Sequence, residues 1–262
     1  MGTPDLLHSA ALIIAGCIGG LMNSIAGGGT LVTFPTLVFV GLPPIAANAT
    51  STVGLLPAAM GSAAGYRRRI RSVYRWLKLF SGVSLLGGLL GAILLVQTPS
   101  KVFAGLVPFL ILFASVLFMA HSSFARFSGN RGARMQGIPL SRKWIFGAVL
   151  FQFAVAVYGG YFGAGIGILM LASLGMLGFE DVHEMNTVKV ILGFLINVVA
   201  AVYFISSDLI HWQSAGIMAL GTIVGGYSGA HFAQRIPQTR VRAIITGIGL
   251  MISAVMFYRE YF

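Results

Sequence analysis

The residues that could do chemistry in this sequence come in two matching sets. The turn Ala26-Gly27-Gly28-Gly29-Thr30 opens one short apolar segment, and Gly163-Ala164-Gly165-Ile166-Gly167 opens another. Each reads as the start of a helix, an end that carries unsatisfied N–H groups and about half a positive charge. Glycine there lets an anion reach the backbone with no side chain in between. Shortly after each turn come Asn48-Ala49-Thr50-Ser51-Thr52 and Asn186-Thr187-Val188-Lys189, whose amides and hydroxyls can donate to an oxyanion. Lys189 is the sharpest single residue, because it lies inside an apolar run, where a charge costs about 2.5–3.5 kcal/mol on insertion scales. The acids Glu180, Asp181 and Glu184 cluster at the start of that run, so a bound anion is a natural counter-charge for the lysine. The expected substrate-binding set is Gly27, Gly28, Gly29, Thr30, Asn48, Thr50, Ser51, Gly163, Gly165, Gly167, Asn186, Thr187 and Lys189. Each has a structural alternative: glycines for close helix packing, amides for interhelical hydrogen bonds of about 0.6 kcal/mol, and a lysine that snorkels or pairs with Glu184.

Other chemistry is thin. His8, His121, His183, His211 and His231 are scattered without metal-ligand spacing, and the single Cys17 leaves no disulfide or paired-thiol site. His183 beside Glu184 is a candidate relay for a coupling proton, although a loop histidine reads the same way. No nucleophile motif, His-Glu-x-x-His or phosphate loop occurs, so neither an enzyme nor a cofactor is expected.

The elements that must position these residues follow from composition. Of the 262 residues, 57% are hydrophobic and 9% charged, which leaves most of the chain no polar face to turn to water. Apolar runs of about 20 residues fit a hydrocarbon core of roughly 30 Å, and their lack of period-2 alternation makes them helices. An all-α membrane protein is predicted, with segments at roughly Leu6 to Ile25, Thr30 to Leu42, Pro44 to Tyr66, Trp76 to Val96, Lys101 to Ala120, Trp144 to Tyr161, Gly165 to Leu177, Val182 to Ser206, Trp212 to Ala233 and Arg240 to Tyr258. The second and seventh are too short to span comfortably. The net charge of +11 sits in short inter-segment stretches, as retention of Lys and Arg on the cytoplasmic side predicts, and not in a nucleic-acid-binding face.

The chain repeats itself at an offset of 138 residues, the distance from Asn48 to Asn186. The same offset carries Gly27 and Gly29 onto Gly165 and Gly167, Gly87, Gly88, Gly91 and Ala92 onto Gly225, Gly226, Gly229 and Ala230, and Pro99 onto Pro237. Two membrane units, 1–120 and 144–262, therefore flank a polar linker at 121–143 that holds Arg126, Arg131, Arg134, Arg142 and Lys143. The loop after segment three carries Arg67, Arg68, Arg69, Arg71 and Arg75, whereas its counterpart from Ser206 to Gln213 has no Lys or Arg. Equivalent loops then face opposite sides, which predicts an inverted repeat with the linker cytoplasmic and both termini outside. Either all five segments of each half cross, or segments one and two (and six and seven) pair as re-entrant hairpins, leaving three crossings.

In its Ala26-Gly27-Gly28-Gly29-Thr30 turn followed by Pro35, its Asn48-Ala49-Thr50-Ser51 stretch, its Gly160-Tyr161-Phe162-Gly163-Ala164-Gly165-Ile166-Gly167 run and its Asn186-Thr187 pair, the chain resembles the TauE/SafE family of sulfite exporters over nearly its whole length. The resemblance implies export of sulfite or a small organosulfonate such as sulfoacetate, driven by a proton or other ion gradient, across a cell inner membrane. The expected partners are a small anionic substrate, a coupling ion such as a proton, the lipid bilayer and a further copy of the chain. The expected mechanism is alternating access at the repeat interface; a passive anion channel built from the same half-helices is the alternative.

Overall fold

The computed structural model describes residues 6–25, 27–135, 142–177, 179, 181–232 and 238–262. Ala26, Glu180, Pro237 and linker residues 136–141, which figured in the motifs, repeat and charge pattern above, lie outside the described residues, as do the side chains of the rest of 121–141. The described chain is all helical: α1 Leu6–Ile25, α2 Thr30–Phe39, α3 Pro44–Gly65, a 3₁₀ turn Arg67–Arg69, α4 Tyr74–Gln97, α5 Ser100–Met135, α6 Arg142–Tyr161, α7 Ile166–Met176, α8 Val182–Ser206, α9 Trp212–Phe232 and α10 Gln238–Tyr261. Five of these are long and apolar enough to cross a membrane, namely α1, α4, α5 as far as Ala120, α6 and α8. Their outward faces carry large apolar side chains such as Leu86, Phe146 and Val202, which suits lipid and not water.

Local chemistry sets the element ends. Helix α2 stops at Gly41, whose φ of +102° closes the helix while the Leu42 N–H reaches back to the Leu37 carbonyl. Pro43 and Pro44 then start α3, where a missing N–H costs nothing. With 10 and 11 residues, α2 and α7 are only about 15 Å long, half a hydrocarbon core. The fifth helix continues past the apolar stretch to Met135, so the polar segment expected as a linker begins inside a helix. No proline occurs between Ala120 and Pro139 to end it sooner.

Packing pairs one half of the chain with the other. Helix α1 lies along α9, and α6, its equivalent at the 138-residue offset, lies along α4. In both interfaces backbone meets backbone. A Cβ on Gly225 would fall on the Cys17 carbonyl, one on Gly91 on the Val157 carbonyl, and one on Gly160 on the Gly88 carbonyl. Small residues admit this approach, and lipid supplies no hydrophobic force to replace it. Gly225→Leu should therefore prevent recovery of folded, monodisperse protein, while Gly61→Leu, whose Cβ meets nothing within 4 Å, should purify normally; size-exclusion chromatography in detergent checks both. Helices α3 and α8 lie against each other at the centre, with α9 against α3 and α4 against α8, and α5 packs on α10 and α7. Phe34 of α2 is fully buried and meets Phe162, just before the second glycine turn, edge to face at 5.4 Å. That contact ties the short helix of the first half to the turn of the second.

Candidate functional site

Both glycine turns need their glycines. Gly27 and Gly165, equivalent positions in the repeat, have φ of +70° and +79°, and Gly163 has +82°. These are left-handed values that cost other residues about 1–2 kcal/mol. Gly28 and Gly29 are needed for space: a Cβ on Gly28 would enter the Phe118 ring, and one on Gly29 would lie 2.5 Å from the Gly19 carbonyl oxygen. The turns are neighbours. A Cβ on Gly27 would stand 3.6 Å from the Gly167 Cα, and one on Gly163 would stand 4.0 Å from the Thr30 Oγ1. Neither α2 nor α7 has a side-chain N-cap, so backbone alone faces the space at these helix starts. The Tyr158 hydroxyl donates to the Ala164 carbonyl at 2.8 Å and fixes the second turn.

Beside the paired turns lies a cavity of about 60 Å³, room for roughly four waters or one small anion at about 15 Å³ per water. Gly27, Gly28, Gly29 and Thr30 line it from the first half. Gly163, Gly167 and Lys189 line it from the second. Lys189 is only 6% exposed, so its side chain is enclosed by protein and does not lie extended along lipid. Among the described lining residues it is the one ionisable group. Gly165 does not reach the cavity; it packs against Ala114 and Leu117 of α5 and holds the turn in shape.

Asn48, Thr50, Ser51, Asn186 and Thr187 lie off the cavity. The first three sit near the start of α3. Asn48 is 1% exposed and donates through Nδ2 to the Tyr161 carbonyl of α6 at 3.1 Å, leaving its Oδ1 buried without a partner. The Ser51 and Thr33 hydroxyls share a hydrogen bond of 2.6 Å, and Thr33 also donates to the Gly29 carbonyl. Thr50 Oγ1 accepts from the His211 N–H at 3.1 Å, just ahead of α9. In the second half, Thr187 donates to the His183 carbonyl one turn back, and Asn186 is half-buried. At the opposite end of α3, Arg69 lies 3.7 Å from Asp181, which caps α8 by accepting from the His183 N–H. Such an exposed pair is worth at most about 1 kcal/mol, but it places the basic loop beside the start of α8.

Polar residues outside the expected set also line the cavity: Asn23 at the end of α1, Thr52 and Ser62 on α3, and Asn197 on α8. Single polar residues in apolar helices resemble interhelical hydrogen bonds, which hides them in sequence. The usable signal is spacing. Lys189, Gly193 and Asn197 recur every four residues and share one helix face.

Long apolar helices around a cavity that a lysine and polar groups line describe a multi-pass membrane protein of the transporter class. The chain belongs to the sulfite exporter TauE/SafE family, whose profile it matches over residues 12–256. It is 29% identical over 257 residues to a protein of Haemophilus influenzae named "Probable membrane transporter protein", covering 98% of this chain and 96% of that one. It is 25% identical to "Probable membrane transporter protein YfcA" of Escherichia coli K12, covering 100% of this chain and 93% of the relative. To "Probable membrane transporter protein ORF9" of Sinorhizobium sp it is 27% identical, over 86% of this chain and 82% of the other. No solved structure matches the chain significantly.

Proposed function

We propose that the protein is a secondary transporter that exports a small sulfur-containing anion, sulfite or an organosulfonate such as sulfoacetate, across the cell inner membrane by alternating access. The observation that carries this reading is the cavity beside the two glycine turns, with Lys189 as the one ionisable group among its described lining residues. An anion entering it meets a cation, two helix starts and neutral donors, with no carboxylate among the described lining residues to repel it.

Asymmetry between the two ends of α3 supports the alternating-access part. On one side the lining runs up to Ser62, within a turn of the end of α3, and to Lys189, two turns into α8. Those are the helix ends next to the basic loop, so the cavity faces the cytoplasm under the positive-inside rule. On the other side the bonds from Asn48, Ser51 and Thr50 to α6, α2 and the segment before α9 seal the path. An inverted repeat relates the two ends, and exchange of their conformations would expose the anion outside. The matched pairing of α1 with α9 and of α6 with α4 supports that relation.

Thermal stabilisation of the purified protein tests the site. A ligand that binds only the folded state raises its stability by about 2.7 kcal/mol at a hundred times its Kd. Sulfite or sulfoacetate should raise the Tm in a concentration-dependent way while acetate does not, and Lys189→Ala should remove the shift. An unshifted wild type across sulfite, sulfoacetate, taurine, sulfate and thiosulfate would reject the substrate class.

A further inference from the structure

Resting on that reading of the cavity, we infer that Asn197 forms a second, inner anion station beyond Lys189 and that the face of α8 between them is the track that joins the two. Lys189, Gly193 and Asn197 line the same cavity at four-residue intervals. Eight residues of helix separate the outer two, about 12 Å along α8. Helical side chains lean toward the N-terminus, so both groups shift the same way along α8 and the spacing between them persists. A small oxyanion held by the ammonium cannot also touch the amide, and the two groups act in succession.

Gly193 is what keeps the track open. A Cβ there meets nothing within 4 Å, so this glycine faces empty space, whereas those of the helix interfaces press on neighbouring backbone. Thr52 of α3 and Asn23 of α1 wall the same cavity with neutral polar groups, and Leu55, Ile166 and Phe194 supply apolar surface between them. An anion that leaves Lys189 therefore meets amide and hydroxyl dipoles without a second full charge. Such a station rewards an anion that carries several oxygens over a bare halide, and it holds the anion weakly enough to release it. The repeat maps Asn197 onto Ala59 and Lys189 onto Ser51, so both stations are supplied by the second half alone.

The test compares uptake of radiolabelled sulfite by proteoliposomes containing wild type, Asn197→Ala, Asn197→Asp and Lys189→Ala. Asn197→Ala should raise KM about tenfold, the loss of one hydrogen bond to a charged group. The nearly isosteric Asn197→Asp places a carboxylate on the track and should transport at least tenfold more slowly than Asn197→Ala. An amide that only bridges helices would give the two variants equal kinetics, or losses that follow Tm. A wild-type KM in Asn197→Ala, or Asn197→Asp as active as Asn197→Ala, overturns the inner station. If Asn197→Asp does not fold, the KM of Asn197→Ala at unchanged Tm decides. Lys189→Ala separates the two levels: a raised KM there with inert Asn197 variants removes only the inner station, and an unchanged KM there removes the reading of the cavity itself.

Discussion

Lys189→Met should lower sulfite transport about 10- to 100-fold while leaving the protein folded, because charge-assisted hydrogen bonds contribute about 1.5–3 kcal/mol. Methionine keeps the length of the side chain and removes only the charge. A charge inside an apolar helix costs about 2.5–3.5 kcal/mol to insert, so a lysine with no role should be replaced at a profit in stability and at no loss of flux. The reading of a binding lysine predicts a different result: KM raised and anion-dependent stabilisation gone. Arginine in its place should retain binding in part, since the charge persists but the bulkier fork crowds a cavity of about 60 Å³. Side-by-side Tm and KM values for the methionine and arginine variants check this.

The second large effect is expected at Gly193. Leucine there has room for its Cβ and replaces glycine with a better helix former, by about 0.8–1.0 kcal/mol on the alanine scale. The rest of the side chain, however, would project into the cavity between Lys189 and Asn197. Gly193→Leu should therefore give protein of unchanged or raised Tm whose sulfite flux falls to the level of empty liposomes, and Gly193→Ala should lie between it and wild type. The contrast with Gly225→Leu is informative: a Cβ on Gly225 meets neighbouring backbone, and one on Gly193 meets nothing within 4 Å. Flux in Gly193→Leu equal to wild type would mean that the anion does not pass along this face of α8.

How far the sequence foretold the molecule depends on the physics of each feature. The helices were legible because lipid forces every backbone group into a helix and leaves apolar runs as its mark. Their predicted bounds differ from the structure by a few residues, except in α5, where helix outlasts hydrophobicity by 15 residues to Met135. Gly27 and Gly165 were legible as a pair through the 138-residue offset, and the structure gives them the same left-handed backbone. Asn48 and Ser51 share that offset with Asn186 and Lys189, yet the structure places only Lys189 on the cavity. The repeat pairs positions by sequence, while the folded chain gives equivalent residues unlike surroundings. Asn48 bonds the Tyr161 carbonyl, and Lys189 lines the cavity. Thr52 belonged to the polar stretch named after the first turn, whereas Asn23, Ser62 and Asn197 were missed because one polar side chain in a membrane helix looks the same whether it meets another helix or a ligand.

The most direct measurement of the central claim is sulfite accumulation by sealed proteoliposomes under an imposed proton gradient, with the internal concentration followed over time. A secondary transporter is predicted to concentrate sulfite beyond its own electrochemical equilibrium, to lose that excess when the gradient is collapsed, and to do neither in Lys189→Met. Sulfite that only equilibrates, at any imposed ion gradient, would contradict alternating access and make the protein a passive anion channel.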